Sequence, residues 1–305
     1  MQSPSTLPAV LKYRLIFGPL LIAALVASFW LDETLAGRSL GFADSAWTIP
    51  RGFVLMIVGV FICAGATLEL KRVFRAVGIP TFRGVLLASS IAGLLVPWLV
   101  EPGVNPLTAV ALTASVATGV LTGSLLWHAR SKSPRGAASA GGAALLTFVY
   151  LGLMFGFILA LRREHSAWIV LGVLIITKSC DIGAFATGKL IGKHKLILWL
   201  SPGKTWEGLF GGVVVAASMG VLGAWLLRTS SIADSGLVIT PLQGAIYGGL
   251  FALVGQAGDL MASMFKRDAG IKDSGSVLPG FGGVLDIIDS ILPVGPLAYW
   301  LLHVH

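Results

Sequence analysis

Residues 142–161, Gly-Ala-Ala-Leu-Leu-Thr-Phe-Val-Tyr-Leu-Gly-Leu-Met-Phe-Gly-Phe-Ile-Leu-Ala-Leu, run for twenty positions without one charged side chain. A helix needs roughly 20 apolar residues to cross the hydrocarbon core of a bilayer, so this segment is long enough to span one. Apolar runs of comparable character lie near 15–31, 52–70, 84–100, 107–127, 166–180, 207–227, 242–260 and 285–303. With 55% hydrophobic residues, 12% charged and a mean hydropathy of +0.87, the 305 residues carry too little polar surface to clad a soluble globule. The expectation is an all-α, polytopic integral membrane protein with about nine transmembrane helices, counting one per apolar run. Gly and Pro recur throughout, which intramembrane helices tolerate where neighbours satisfy the backbone.

Charge sets the expected orientation. With the N-terminus on the cytoplasmic side, the inner segments carry sixteen of the 22 Lys and Arg residues, from Lys12 and Arg14 through Lys71, Arg72, Arg130 and Lys193 to Lys266, Arg267 and Lys272. The outer segments carry Arg38, Arg51, Arg162, Arg163 and Arg228, and Lys178 falls inside a span. Positive charge retained inside favours this topology and puts the polar clusters at the cytoplasmic face. The net charge of +8 is then explained by attraction to anionic headgroups, and nucleic acid is not expected as a partner. Lys12 and Arg14 precede the first apolar run as in a signal peptide. No A-x-A-like cleavage site follows before Asp32-Glu33, and the run reads as a retained helix. Cys63 and Cys180 lie within spans, without metal-ligand spacing, and read as small buried residues.

A single membrane domain over 1–305 is expected, with hydrophobic N-terminal helices over 1–163 and the chemistry over 164–305. In that second part, Lys178-Ser-Cys-Asp181 sits at the expected end of a helix, and Ser201-Pro-Gly-Lys204-Thr205-Trp-Glu207-Gly208 precedes an apolar run. Such a turn offers backbone N–H groups, a lysine and two hydroxyls to an anion at a helix N-terminus. It lacks Walker A spacing, and an ordinary interfacial loop with snorkelling lysines remains the competing reading.

Between Gly258 and Ser290 the polar residues gather. Asp259, Ser263, Lys266 and Arg267 fall at i, i+4, i+7 and i+8 of one helix face, and Asp286 and Asp289 share a face of the last helix. Pro279-Gly-Phe281-Gly282-Gly283 forms a turn between them. Ionisable residues beside apolar spans mark substrate or ion sites. Carboxylates suit a hard cation, and ammonium and guanidinium groups suit phosphate. Asp259 and Asp286 could meet at one Mg²⁺; a structural ion network is the alternative.

The run from Ser263 through Lys266-Arg267, Lys272-Asp273 and Gly282-Gly283 to Asp286 and Asp289 resembles the signature of phosphatidate cytidylyltransferases, also called CDP-diacylglycerol synthases. Asp181 and the segment Ser201–Gly208 are similar to that family's second shared element. The resemblance implies a nucleotidyltransferase that moves a cytidylyl group from CTP to phosphatidate in phospholipid biosynthesis, with membrane lipid as its medium and a homodimer as an open option. It further implies Mg²⁺ or Mn²⁺ at Asp259, Asp286 and Asp289, with room for a second, monovalent cation. Lys204, Lys266, Arg267, Lys272 and Asp273 become the catalytic candidates. Asp181, Ser201, Thr205, Glu207, Ser263, Gly282 and Gly283 become the substrate-binding ones. Two positions depart from the family pattern: Phe281 stands where His is usual, and Ile287 where Arg is usual. Readings from other classes are a CTP-dependent polyprenol kinase, an anion transporter and a catalytically silent relative.

Overall fold

A computed structural model describes residues 9–39, 48–100, 103–229, 237–275 and 282–303. The first helices are α1 (Ala9–Leu35), α2 (Phe53–Ala76), α3 (Arg83–Leu99) and α4 (Pro106–Ala129). The run that opens the sequence argument is a composite rod: α5 (Ala137–Thr147), a π-helical segment (Phe148–Leu153) and α6 (Met154–Glu164). Then come α7 (Ala167–Ile191), a short hairpin of β1 (Lys195–Ile197) and β2 (Ser201–Thr205), α8 (Trp206–Thr229), α9 (Pro241–Asp268), α10 (Val284–Ile288) and α11 (Ile291–His303). Among the described residues eight helical segments are long and apolar enough to cross a membrane, and Arg83–Leu99 is a shorter apolar helix beside them.

One expected boundary is corrected. The run near 166–180 is not a short span, because α7 continues to Ile191, and Lys178 and Asp181 therefore lie inside the helix and not at its end. Hydropathy fades at Lys178, but packing persists. A Cβ added at Gly183 would lie 2.8 Å from Val215, so α7 keeps running against α8 where the apolar signal has stopped. The last span is likewise broken, α10 giving way to α11 around Asp289-Ser290.

Small residues bring α8 and α9 into backbone contact. Gly208, Gly212, Ala216, Gly220 and Ala224, every fourth residue of α8, are buried, and α9 answers with Gly244, Gly248 and Ala252. A Cβ on Gly220 would sit 1.9 Å from the Gly244 carbonyl oxygen, and one on Gly248 would sit 2.2 Å from that of Ala216. Helices in lipid gain nothing by hiding apolar surface from one another, so close van der Waals contact of this kind holds them. The composite rod uses the same device. A Cβ on Gly93 of α3 would lie 2.3 Å from the Phe148 carbonyl oxygen in the π-helical segment.

At one end of the bundle a buried ion cluster fixes the helix termini. Arg162 Nε lies 2.6 Å from Asp32 Oδ2, and its Nη2 lies 3.1 Å from Glu33 Oε2. Asp32 also accepts from the backbone N–H groups of Gly52, Val54 and Leu55, and Glu33 from that of Ala167 at 2.7 Å. Two carboxylates thereby close the N-terminal turns of α2 and α7, where helix dipoles favour negative charge. This leaves the opposite end, where α7 and α9 finish and α8 and α10 begin, for the remaining polar residues.

The backbone contact yields a paired prediction. Gly248→Ala must displace the Ala216 carbonyl and is expected to lower the melting temperature in detergent. Gly249→Ala meets only Val213 at 3.7 Å and gains helix propensity of about 1 kcal/mol, so it is expected to melt at or above the parent temperature. Equal melting of the two variants would contradict the α8–α9 contact.

Candidate functional site

The polar end is assembled from α7, β2, α8, α9 and α10. Lys204, at the end of the hairpin, places its Nζ 2.6 Å from Asp259 Oδ2 on α9. About two turns further along α9, Lys266 Nζ lies 2.7 Å from Asp286 Oδ1 on α10. Asp289 is buried and lies within electrostatic range of Asp259. On α7, Lys178 donates to Ser290 Oγ at 2.6 Å and stands 3.7 Å from Asp181, whose other oxygen accepts from Gln256 Nε2 at 3.0 Å. Six charged residues expected from sequence, Asp181, Lys204, Asp259, Lys266, Asp286 and Asp289, thus share this end.

A cleft of about 420 Å³ opens beside them. Asp181, Lys189, Lys204, Thr205, Gln256 and Asp259 supply its polar wall, and Gly188, Gly203 and Gly208 let the backbone close in without side chains. Phe185 and Leu209 form part of the apolar remainder. A volume of this order is that of ordinary small-molecule sites, which pair an apolar lining with a few placed polar groups.

Several expected residues have structural partners. Thr205 Oγ1 accepts from the Gly208 N–H at 3.1 Å, capping α8. Glu207 accepts from the backbone N–H groups of Lys193 and His194, and its Oε1 lies 2.6 Å from His194 Nδ1, so it ties the hairpin to the start of α8. Arg267 donates to the carbonyls of Leu200 and Ile271, holding the hairpin against the end of α9. Ser201 pairs with Ile197 across the hairpin. Ser263 is half-buried on α9, and Lys272 and Asp273 are exposed on the segment beyond it.

Asp286 is heavily engaged. Besides Lys266 at Oδ1, its Oδ2 has the backbone N–H groups of Ser274 and Gly283 at 3.2 and 2.9 Å and the Ser274 hydroxyl at 3.0 Å. Gly282 has a φ of 91°, a left-handed turn that glycine adopts without strain, and this aims the Gly283 N–H at the carboxylate. Phe281 lies outside the described residues. Ile287, where the resemblance expects Arg, packs against an apolar cluster that includes Leu285 and Leu292. Among the described residues no group of three or more His, Cys, Asp or Glu is gathered as a metal cage.

Three neighbours escaped the sequence reading. Glu69, on α2 in the hydrophobic first half, is 1% exposed and reaches α10. Its signal was a lone acid at the edge of an apolar run. Gln256 stands one turn before Asp259 and shares its face, a spacing visible in the sequence. Tyr150 is 1% exposed in the π-helical segment, packs edge-on against Phe265, and its hydroxyl has no hydrogen-bond partner among the described residues. Asp289, Asp259 and Asp286 all lie within electrostatic range of it. Nothing in an uncharged stretch marks one Tyr for this position; π-helical insertions do recur at functional sites.

Comparison with known proteins now bears on this arrangement. The sequence model of the cytidylyltransferase family matches residues 39–305. The chain belongs to that family. A phosphatidate cytidylyltransferase of Staphylococcus aureus is 33% identical over 256 residues, covering 83% of this chain and 92% of that protein. Proteins of the same name from Mycobacterium bovis and Mycobacterium tuberculosis are 37% identical over 158 residues, or 52% of this chain. The chain spans about half the length of these mycobacterial relatives, 48% and 45%. For this cytidylyltransferase-family chain, the match takes in the Lys204–Asp259 and Lys266–Asp286 pairs together with Glu69 and Tyr150.

The hairpin contacts carry their own expectation. Thr205→Val removes the α8 cap and is expected to cost about 1 kcal/mol, read as a lower melting temperature, whereas Thr205→Ser keeps it. An unchanged melting temperature for Thr205→Val would show that Oγ1 does not serve as the cap.

Proposed function

We propose that this chain transfers a cytidylyl group from CTP to phosphatidate, giving CDP-diacylglycerol and pyrophosphate. The observation that carries the reading is the Lys204–Asp259 contact on the wall of the cleft, with Lys266–Asp286 next along α9. Phosphate-binding cations and cation-binding carboxylates stand together there, in a chain of the cytidylyltransferase family. The names of its relatives supply the acceptor lipid.

The chemistry requires two anions to meet. A phosphate oxygen of phosphatidate attacks the α-phosphorus of CTP. As that bond forms, the bond from the α-phosphorus to the oxygen bridging to the β-phosphate breaks, and pyrophosphate leaves with the electron pair. Catalysis of such a transfer is mostly positioning and charge stabilisation. Lys204 and Lys266 are the cations placed to hold the phosphates, with Lys178 behind them on α7. Lys272, exposed beyond the end of α9, is a further cation at this end, and Arg267 holds the hairpin beside it. Phosphatidate is already ionised near neutral pH, so no general base is needed.

The donor set fits a hard divalent cation. Asp259 and Asp289 are two carboxylates within electrostatic range of one another, a repulsion that a cation between them would relieve, and the side-chain donors they offer are oxygens. Mg²⁺ or Mn²⁺ would be held by Asp259 and Asp289 with Asp286 beside them, and would supply charge neutralisation for the α-phosphate and the departing pyrophosphate. The apolar spans make the medium the bilayer, and the excess of Lys and Arg at this end supports a cytoplasmic location for the cleft.

Purified protein given labelled CTP and phosphatidate is expected to release pyrophosphate and form a CDP-lipid, to stop on chelation and to resume with Mg²⁺. Release of CDP with a phosphorylated lipid would mean a kinase, and no turnover with anion flux in vesicles would mean a transporter. Asp259→Asn and Asp289→Asn are each expected to reduce turnover more than the roughly 100-fold typical of outer-shell changes, at unchanged elution in size exclusion. Normal turnover in both would overturn the site.

Orientation is tested separately. Cysteines at Ser201→Cys and Gly270→Cys are expected to label from the cytoplasmic side and one at Val238→Cys from outside. Opposite labelling of the first two would divide the site and exclude it.

A further inference from the structure

The Glu69 carboxylate is spent entirely on the segment that presents Asp286. Its Oε1 accepts from the Val284 N–H at 2.8 Å, and its Oε2 accepts from the Leu285 N–H at 2.9 Å. These are the first two amides of α10, at positions where a helix has no internal acceptors of its own. An ordinary cap would be a Ser, Thr, Asp or Asn just ahead of them. That position is Gly283, and a Cβ there would stand 2.3 Å from Glu69 Oε2 and 2.2 Å from Ser274 Oγ. A Cβ on Gly275 would likewise meet Glu69 Oε1 at 2.6 Å. The cap is therefore imported from α2, more than two hundred residues earlier in the chain, and two glycines make room for it.

The same carboxylate competes with Asp286 for a proton. The Ser274 hydroxyl lies 2.8 Å from Glu69 Oε2 and 3.0 Å from Asp286 Oδ2, and one hydroxyl has one hydrogen to give. When it is donated to Glu69, Asp286 keeps the Lys266 ammonium and two amides and has a lone pair open. When it is donated to Asp286, four donors fill the four lone-pair sites of that carboxylate. Glu69 thus does two things: it fixes the turn that carries Asp286, and it draws away the one donor that can move.

We propose that Glu69 is a positioning residue for the site, holding Asp286 in place and open to a divalent cation, so that a helix of the hydrophobic N-terminal half sets the cation affinity of the C-terminal motifs. The proposal rests on the reading of Asp286 as a carboxylate of the site. Glu69→Gln keeps the size of the side chain and one acceptor, but its amide NH₂ faces Ser274 and turns the hydroxyl toward Asp286. Outer-shell changes of this kind reduce metal affinity or activity about 10–100-fold.

The test is steady-state turnover of CTP with phosphatidate as Mg²⁺ is varied, on full-length protein shown to be folded by size exclusion and thermal melting. Hydrogen exchange at Val284 and Leu285 is measured in parallel. Glu69→Gln is expected to raise the Mg²⁺ concentration for half-maximal rate about 10–100-fold, with the rate largely recovered at saturating Mg²⁺. Ser274→Ala added to Glu69→Gln is expected to restore part of that affinity by removing the misdirected donor. Glu69→Ala is expected to speed exchange at both amides. Faster exchange with unchanged Mg²⁺ dependence per folded molecule would reduce Glu69 to a helix cap and overturn the proposal, as would no change in either measurement. Asp286→Asn serves as the reference. If it is inactive while Glu69→Gln behaves as the parent, the proposal alone fails. If Asp286→Asn turns over normally, the reading of Asp286 fails and the proposal fails with it.

Discussion

Charge placed among apolar helices must find its counterpart inside the protein, and that constraint organises this molecule from end to end. A bilayer interior offers no water to an orphaned carboxylate or amide. At one end Asp32, Glu33 and Arg162 satisfy one another and the exposed amides of α2 and α7. At the other, Lys204 with Asp259, Lys266 with Asp286 and Lys178 with Asp181 do so with less complete burial. The first set is closed by its own backbone contacts and serves architecture. The second reaches a cleft at Lys204, Asp259 and Asp181, where partners are open to exchange.

Backbone proximity is the second half of the same design. Because Gly220 and Gly248 let α8 and α9 touch through their main chains, the ends of those helices are held in register without large side chains between them. Side chains at Lys204 and Asp259 can then meet across a short gap. Bulkier residues along the seam would push the helices apart and take the ion pair with them.

Much of this was legible in the sequence. Twenty uncharged residues at 142–161 announce a membrane span, and the i, i+4, i+7 and i+8 spacing puts Asp259, Ser263, Lys266 and Arg267 on one face before any coordinates are known. What stayed hidden depends on contacts between distant segments. Hydropathy ended α7 near residue 180 because it registers transfer to lipid and is blind to packing against α8, which carries the helix on to Ile191. Glu69 went unread because its partners, Val284, Leu285 and Ser274, lie more than two hundred residues away. Thr205 offered a hydroxyl to an anion and Glu207 a carboxylate for binding substrate, and the same groups serve equally well to cap a helix and close a hairpin. Side-chain type alone does not separate those uses.

The Lys204–Asp259 pair on the cleft wall has a consequence for how ligands would enter. An arriving phosphate that takes Lys204 strips Asp259 of its counter-ion, and an arriving cation that takes Asp259 strips Lys204. Either ligand alone leaves a bare charge in an apolar surrounding; both together exchange partners as two salts do in a metathesis. A site paired in this way would favour a cation and an anion arriving together over either alone, as a nucleotide carrying its own metal would.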